Sequence, residues 1–310
     1  MRSVVRAAIG GVSLLGAAAA AGAVPAAPVA APAASAPAAA PAPAPSPANP
    51  DIVVTGRRDQ AQQVADFVAA LTPAEGGAIP RFVDQVCPAA AGLLPEQNAA
   101  VAARLRQVAR AVGLKAAPEG CAPNAFVVVT QNKRAFMELL AKRRPQVFGF
   151  VEPRELRRLA FGPERAAAWQ IAGAVDRKDK PQRYNDIFSG SPSEAWEAVN
   201  RARGNPRGYD AAVLVVELKA LEGLTATQVA DYAAMRLLAR LDPKRLPAGS
   251  PPTILAALEA REGAEVPVTL TRWDAGFLKG LYGSGFQHST GRQRAEIGRT
   301  MTQGLAAPQP

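Results

Sequence analysis

Apolar residues recur at helical spacing where the compositionally complex part of the chain begins. Val64, Phe67, Val68 and Leu71 fall at i, i+3, i+4 and i+7, which predicts a helix over 59–71 that Gly76 and Gly77 bring to an end. Residues 81–87 alternate apolar and polar and read as a strand. Pro95 opens a second helix with Val101, Leu105, Val108 and Val112 on one face, Glu96 in its first turn and Gly113 after its end. The short apolar run 125–130 has the character of a buried strand. A helix over 133–142 follows, with Phe136, Leu139 and Leu140 to one side.

In the second half, 152–159 reads as a short helix and 166–175 as a strand, with helix the alternative because of its alanines. The polar stretch 177–207 is full of Gly, Pro, Asn and Ser and predicts long surface loops around a helix at 193–202. Residues 211–218 (AAVLVVEL) form the clearest strand signal in the chain. Thr225 caps a strong helix running to residue 241, and two more helices are expected at 252–260 and 271–281. Strands alternating with helices define an α/β (α+β) class with a mixed sheet packed by helices. The expected organisation is one globular domain over 59–288, then a polar C-terminal helix and a flexible tail over 289–310.

The first residues read as an address. Arg2 and Arg6 precede an uncharged run centred on Val12-Ser13-Leu14-Leu15, and Ala21-Gly22-Ala23 fits a small-residue cleavage site, so 1–23 is expected to be a cleaved secretory signal. Alanine and glycine dominate that run, which argues against a retained anchor, and no transmembrane segment is expected in the mature chain. The protein is therefore expected in the periplasm or outside the cell. Between Val24 and Pro50, 22 of 27 residues are Ala or Pro. That composition makes 24–58 a disordered, semi-rigid spacer, whose Ala/Pro part over 24–50 alone has a reach on the order of 80 Å.

Charge changes the picture next. The chain carries 36 Lys and Arg against 26 Asp and Glu; without Arg2 and Arg6 its net charge is about +8. The cations cluster at Lys142-Arg143-Arg144, at Arg154 with Arg157 and Arg158, at Arg177-Lys178, and at Arg201 with Arg203 and Arg207. Such clusters suit an anionic envelope polymer or lipid surface. Nucleic acid is not expected, because aromatics are 5% of the chain and do not interleave with the cations. Cys87 and Cys121 are the only cysteines, and in an oxidising compartment they are expected to form a disulfide.

Chemistry is scarce. His288 is the single histidine and sits among glycines, where it reads as a surface residue; no nucleophile elbow, H-E-x-x-H or phosphate-binding glycine loop is present. No catalytic residue, metal ligand or cofactor site is assigned. A carboxylate pair drawn from Glu217, Glu222, Asp231, Asp242 and Asp274 remains as a hydrolase route, with Trp273 and Tyr282 the only aromatics placed to line a sugar cleft and core packing the alternative for both.

Two segments resemble known families. Asp51-Ile52-Val53-Val54-Thr55-Gly56 looks like the box at the start of mature TonB-dependent outer-membrane receptors, whose β-prone residues pair with TonB by strand addition. The resemblance makes Ile52, Val53, Val54 and Thr55 a candidate partner-binding segment; an ordinary strand or linker end is the alternative. From Arg81 to Leu281 the order of elements is similar to metzincin-type zinc proteases and their exported bacterial relatives, with the 252–255 and 270–274 segments adding to the likeness. In that family the helix after the last strand carries H-E-x-x-H. Here Ala230 and Ala234 stand at the histidine positions if Asp231 takes the glutamate's place, so the resemblance implies a zincin-like scaffold without its zinc, in which Asp231→Asn has a mild effect on any function. The expected function is a non-catalytic, envelope-associated binding protein; the alternative is a carboxylate-dependent hydrolase acting on cell-envelope material.

Overall fold

The valine-rich runs at 125–130 and 211–217 pair in parallel at the centre of the sheet, with Val127 opposite Leu214 and Val129 opposite Val216. The computed structural model describes residues 57–72, 78–83, 85–149, 151–171, 208–247, 249–259, 266–285 and 288–307. Its strands are β1 (Arg81–Phe82), β2 (Pro88–Ala91), β3 (Ala125–Thr130), β4 (Ala166–Ile171), β5 (Gly208–Tyr209) and β6 (Ala211–Glu217). Its helices are α1 (Arg57–Leu71), α2 (Pro95–Ala111), α3 (Lys133–Arg143), α4 (Pro153–Phe161), α5 (Ala226–Leu238), α6 (Ala256–Glu259), α7 (Arg272–Gly283) and α8 (Thr290–Ala306). The main sheet runs β2-β3-β6-β4, parallel except for β4, which is antiparallel to β6. A two-residue parallel ribbon joins β1 to β5. The mixed α/β class expected from the sequence is what the structure shows.

Alternation along the central strands sends side chains to two cores. Ala125, Val127 and Val129 of β3 join Ala212, Leu214 and Val216 of β6 in a large cluster with α1, α2, α5, α7 and α8. Ala211, Val213 and Val215 instead join Ala167, Trp169 and Ile171 of β4, together with Met137 of α3 and Leu159 of α4. Because β6 is covered on both faces, its sequence reads as a continuous apolar run. Trp169 stacks on Phe148 with ring centroids 5.1 Å apart and donates its indole N–H to the Val147 carbonyl at 2.9 Å.

The end of α5 shows how tightly the central helix is tied. No glycine terminates it, and its last carbonyls need partners from elsewhere. The Tyr209 hydroxyl donates to the Leu237 carbonyl at 3.1 Å and the Tyr282 hydroxyl to Leu238 at 2.6 Å. The Gln170 amide reaches the Arg236 carbonyl at 3.0 Å. Three separate elements thus cap one helix.

Several boundaries differ from the sequence reading. The strand expected over 81–87 shrinks to β1 and a single bridge from Val86 to Ala116, and a ladder resumes at β2, where Pro88 and three alanines carry little intrinsic strand preference. Gly92 closes β2 at φ +97°, and a Cβ there would lie 1.9 Å from the Val129 carbonyl oxygen, so only glycine fits. The helix expected over 252–260 is reduced to the single turn of α6. The C-terminal helix, expected to be polar and to fray, buries Ile297 and Met301 against α7 and α1. The helix expected at 193–202, the signal, the TonB-box-like segment and the spacer up to residue 56 lie outside the described residues; residues 57 and 58, expected in the spacer, open α1.

Candidate functional site

Asp231 sits in the middle of α5, wholly buried. Its carboxylate accepts Arg104 Nε at 2.8 Å and a second guanidinium nitrogen at 3.1 Å. It also accepts the Thr269 hydroxyl at 2.6 Å and the Leu270 backbone N–H at 2.8 Å. The hydrogen bond to Asp231 raises the Arg104 guanidinium above its ordinary value. Four donors converge on one carboxylate and join α2, α5 and the 269–270 segment. Asp231→Asn would replace an acceptor of Arg104 with an amide donor, so its direct effect falls on the fold. Ala230 and Ala234 flank Asp231, both fully buried in the core.

Asp274 has the same character. It accepts the Thr253 hydroxyl at 2.5 Å, the Ile254 N–H at 2.8 Å, and the N–H and hydroxyl of Thr271 at 3.0 and 2.8 Å. The Thr271 hydroxyl accepts the Asp274 N–H in return, completing a capping box at the start of α7. Burial pushes the Asp274 carboxyl above its usual range, against the pull of these donors. The two segments 252–255 and 270–274 are thus laced together by one buried acid. Trp273 and Tyr282 do not line a sugar cleft. Trp273 meets Phe67 edge-on with centroids 5.4 Å apart, and Tyr282 caps α5.

The remaining acids are also placed. β3 and β6 are parallel neighbours whose following helices, α3 and α5, lie in opposite layers, the arrangement that opens a ligand crevice in many α/β proteins. Here the chain's own groups bridge it. Glu217 accepts the Lys133 backbone N–H at 3.2 Å, placing a carboxylate at the N-terminus of α3. The Lys133 ammonium, in a residue only 3% exposed, donates to the Gly162 carbonyl at 3.1 Å. Desolvation lowers its pKa. Asp242 accepts the Lys244 N–H at 3.2 Å, and Glu222 is exposed.

His288 is half-buried, its Nδ1 3.0 Å from a Glu296 carboxylate oxygen. The Gly285 N–H, His288 and Arg292 draw the Glu296 carboxyl down to about 2. Cys87 and Cys121 are disulfide-paired, with Cα atoms 6.0 Å apart. Among the described residues, no three His, Cys, Asp or Glu are grouped to hold a metal, and no helix is long and apolar enough to cross a membrane.

Among the described residues, exposed cations are concentrated in the α3–α4 layer. Residues 131–165 hold nine Lys and Arg against four Glu. Arg134 is paired with Glu138 at 3.0 Å and Arg158 with Glu155 at 2.7 Å. Lys142, Arg143, Arg144, Arg154 and Arg157 are exposed and have no ion-pair partner among the described residues. Sequence clustering pointed to this group. It missed Arg104, Thr253 and Thr269, whose roles depend on contacts with residues far along the chain. No known protein family, curated protein or solved structure matches this chain.

Proposed function

We propose that the protein is an exported, non-catalytic envelope protein that docks on an anionic envelope component through its α3–α4 face. The observation that carries the reading is the group of exposed cations on that face with no ion-pair partner among the described residues, set against Asp231 and Asp274, which are already engaged in the interior. The disulfide suits an oxidising compartment, and the signal-like residues 1–23 supply the route there. Within this reading, Ile52, Val53, Val54 and Thr55 serve as a second, TonB-type partner segment at the end of a long spacer. The folded part is a zincin-like scaffold in which the helix after the last strand packs rather than binds zinc; the burial of Ala230 and Ala234 supports it.

The carboxylate-hydrolase alternative gains nothing from the site geometry. Asp231 and Asp274 each accept four internal hydrogen bonds, so neither is free to exchange protons with a substrate. Sedimentation with envelope fragments at rising ionic strength tests the docking. The protein should pellet at low salt and be released as the Debye length shortens below about 10 Å. Binding indifferent to salt would reject the proposal.

A further inference from the structure

We infer that the anionic component is a lipid surface, and that Phe161 and Leu139 enter it. The inference rests on the docking reading above and names its target. In α4, Arg154, Arg157, Arg158 and Phe161 fall at i, i+3, i+4 and i+7, so three cations, one of them (Arg158) paired with Glu155, share one side of the helix with an aromatic ring. Leu159 and Ala160 are buried on the other side. Phe161 is 50% exposed and Leu139, on the neighbouring helix, 55%. Large apolar side chains at that exposure are few in the described residues, and two of them stand among the densest cations.

Arg134 adds a further detail. Its guanidinium carbon sits over the Phe161 ring, 4.6 Å from the centroid, which sets a charge on one face of the ring and leaves the ring half exposed. A soluble polyanion would satisfy the arginines and offer nothing to Phe161 or Leu139. A bilayer surface meets both needs, with headgroup phosphates for the guanidinium groups and an apolar boundary beneath them for the two side chains. Glu138 and Glu155 do not oppose such contact, since each is already matched by an arginine; Glu152 is the one exposed acid that subtracts from the patch.

The test compares three partners at one ionic strength: vesicles of phosphatidylglycerol mixed with phosphatidylcholine, vesicles of phosphatidylcholine alone, and soluble polyphosphate. The protein should bind the anionic vesicles and polyphosphate, and not the neutral vesicles. A Phe161→Ser, Leu139→Ser double variant should bind anionic vesicles about tenfold more weakly while keeping its affinity for polyphosphate. An Arg154→Glu, Arg157→Glu variant should lose affinity for both, by about fivefold or more per charge. Phe161→Trp should retain vesicle binding, which guards against a folding defect in the serine variant. Unchanged vesicle binding by the serine variant would overturn the lipid inference and leave the docking reading standing. Failure of the unaltered protein to bind either anionic partner would overturn both.

Discussion

Arg104 and Asp231, 127 residues apart in sequence, meet as a two-point ion pair with nitrogen–oxygen distances of 2.8 and 3.1 Å. The acid is fully buried, whereas the arginine side chain is 32% exposed. The pair therefore anchors α2 to α5 from the solvent side of a packed interface. A catalytic carboxylate keeps lone pairs available for a substrate; this one spends them on the fold.

Replacing Asp231 should accordingly be a stability defect. Asp231→Ala strands Arg104, Thr269 and the Leu270 N–H together, at a cost of about 3 kcal/mol. Asp231→Asn should cost less, because one oxygen remains. Urea unfolding of both variants checks this; an unchanged midpoint would show that the carboxylate is not a structural tie.

The α7–α8 hairpin depends on two glycines. A Cβ at Gly280 would lie 2.7 Å from the Ile297 Cα, a backbone atom that cannot swing away. At Gly276 the nearest atom would be Met301 Cγ at 3.3 Å, the middle of a flexible side chain. Gly280→Ala should cost about 1–3 kcal/mol, and Gly276→Ala distinctly less. Thermal unfolding of the two single variants measures the difference, and equal losses would contradict close helix approach at Gly280.

The legible parts of the fold were those with a local signal. β6 announced itself through AAVLVVE, and α5 through Thr225 and its apolar period, with Gln228 completing a capping box. β2 was illegible because Pro88 and three alanines become a strand only by pairing with β3. The same limit hid the caps on α5. Tyr209 and Tyr282 looked like ordinary aromatics, and their hydroxyls found the Leu237 and Leu238 carbonyls only through tertiary packing. Of the site residues, the cation clusters on α3 and α4 were readable as runs. The partners of Asp231 and Asp274 were not, since nothing in the sequence near Arg104 or Thr253 marks them as donors to a distant acid.

The Cys87–Cys121 bridge closes a loop of 34 residues. In the chain-entropy account, such a loop stabilises the folded state by roughly 3–4 kcal/mol. A double serine variant should lose stability on that scale. Oxidised protein should lack two hydrogens by intact mass, and free thiols in folded material would contradict the pairing.

Glu296 sets part of the acid response. Its folded pKa of about 2 lies below the ordinary glutamate value of about 4.3. The stabilisation is therefore fully present above pH ~4.3 and is lost as pH falls toward 2. Glu296→Gln should flatten the acid limb of the stability profile in that window and lower the plateau above it. An unchanged slope between pH 4.5 and 2 would remove Glu296 from the account.

Docking on the envelope as proposed requires one particular face and not net charge alone. The most direct measurement is cosedimentation with envelope fragments for two variants that carry equal changes in charge. Arg154→Glu with Arg157→Glu alters α4, whereas Arg110→Glu with Lys115→Glu alters exposed cations at the end of α2 and just beyond it. Loss of binding in the α4 variant, with the α2 variant retaining most of it, is the predicted result. Equal losses in the two variants, or none in either, would contradict it.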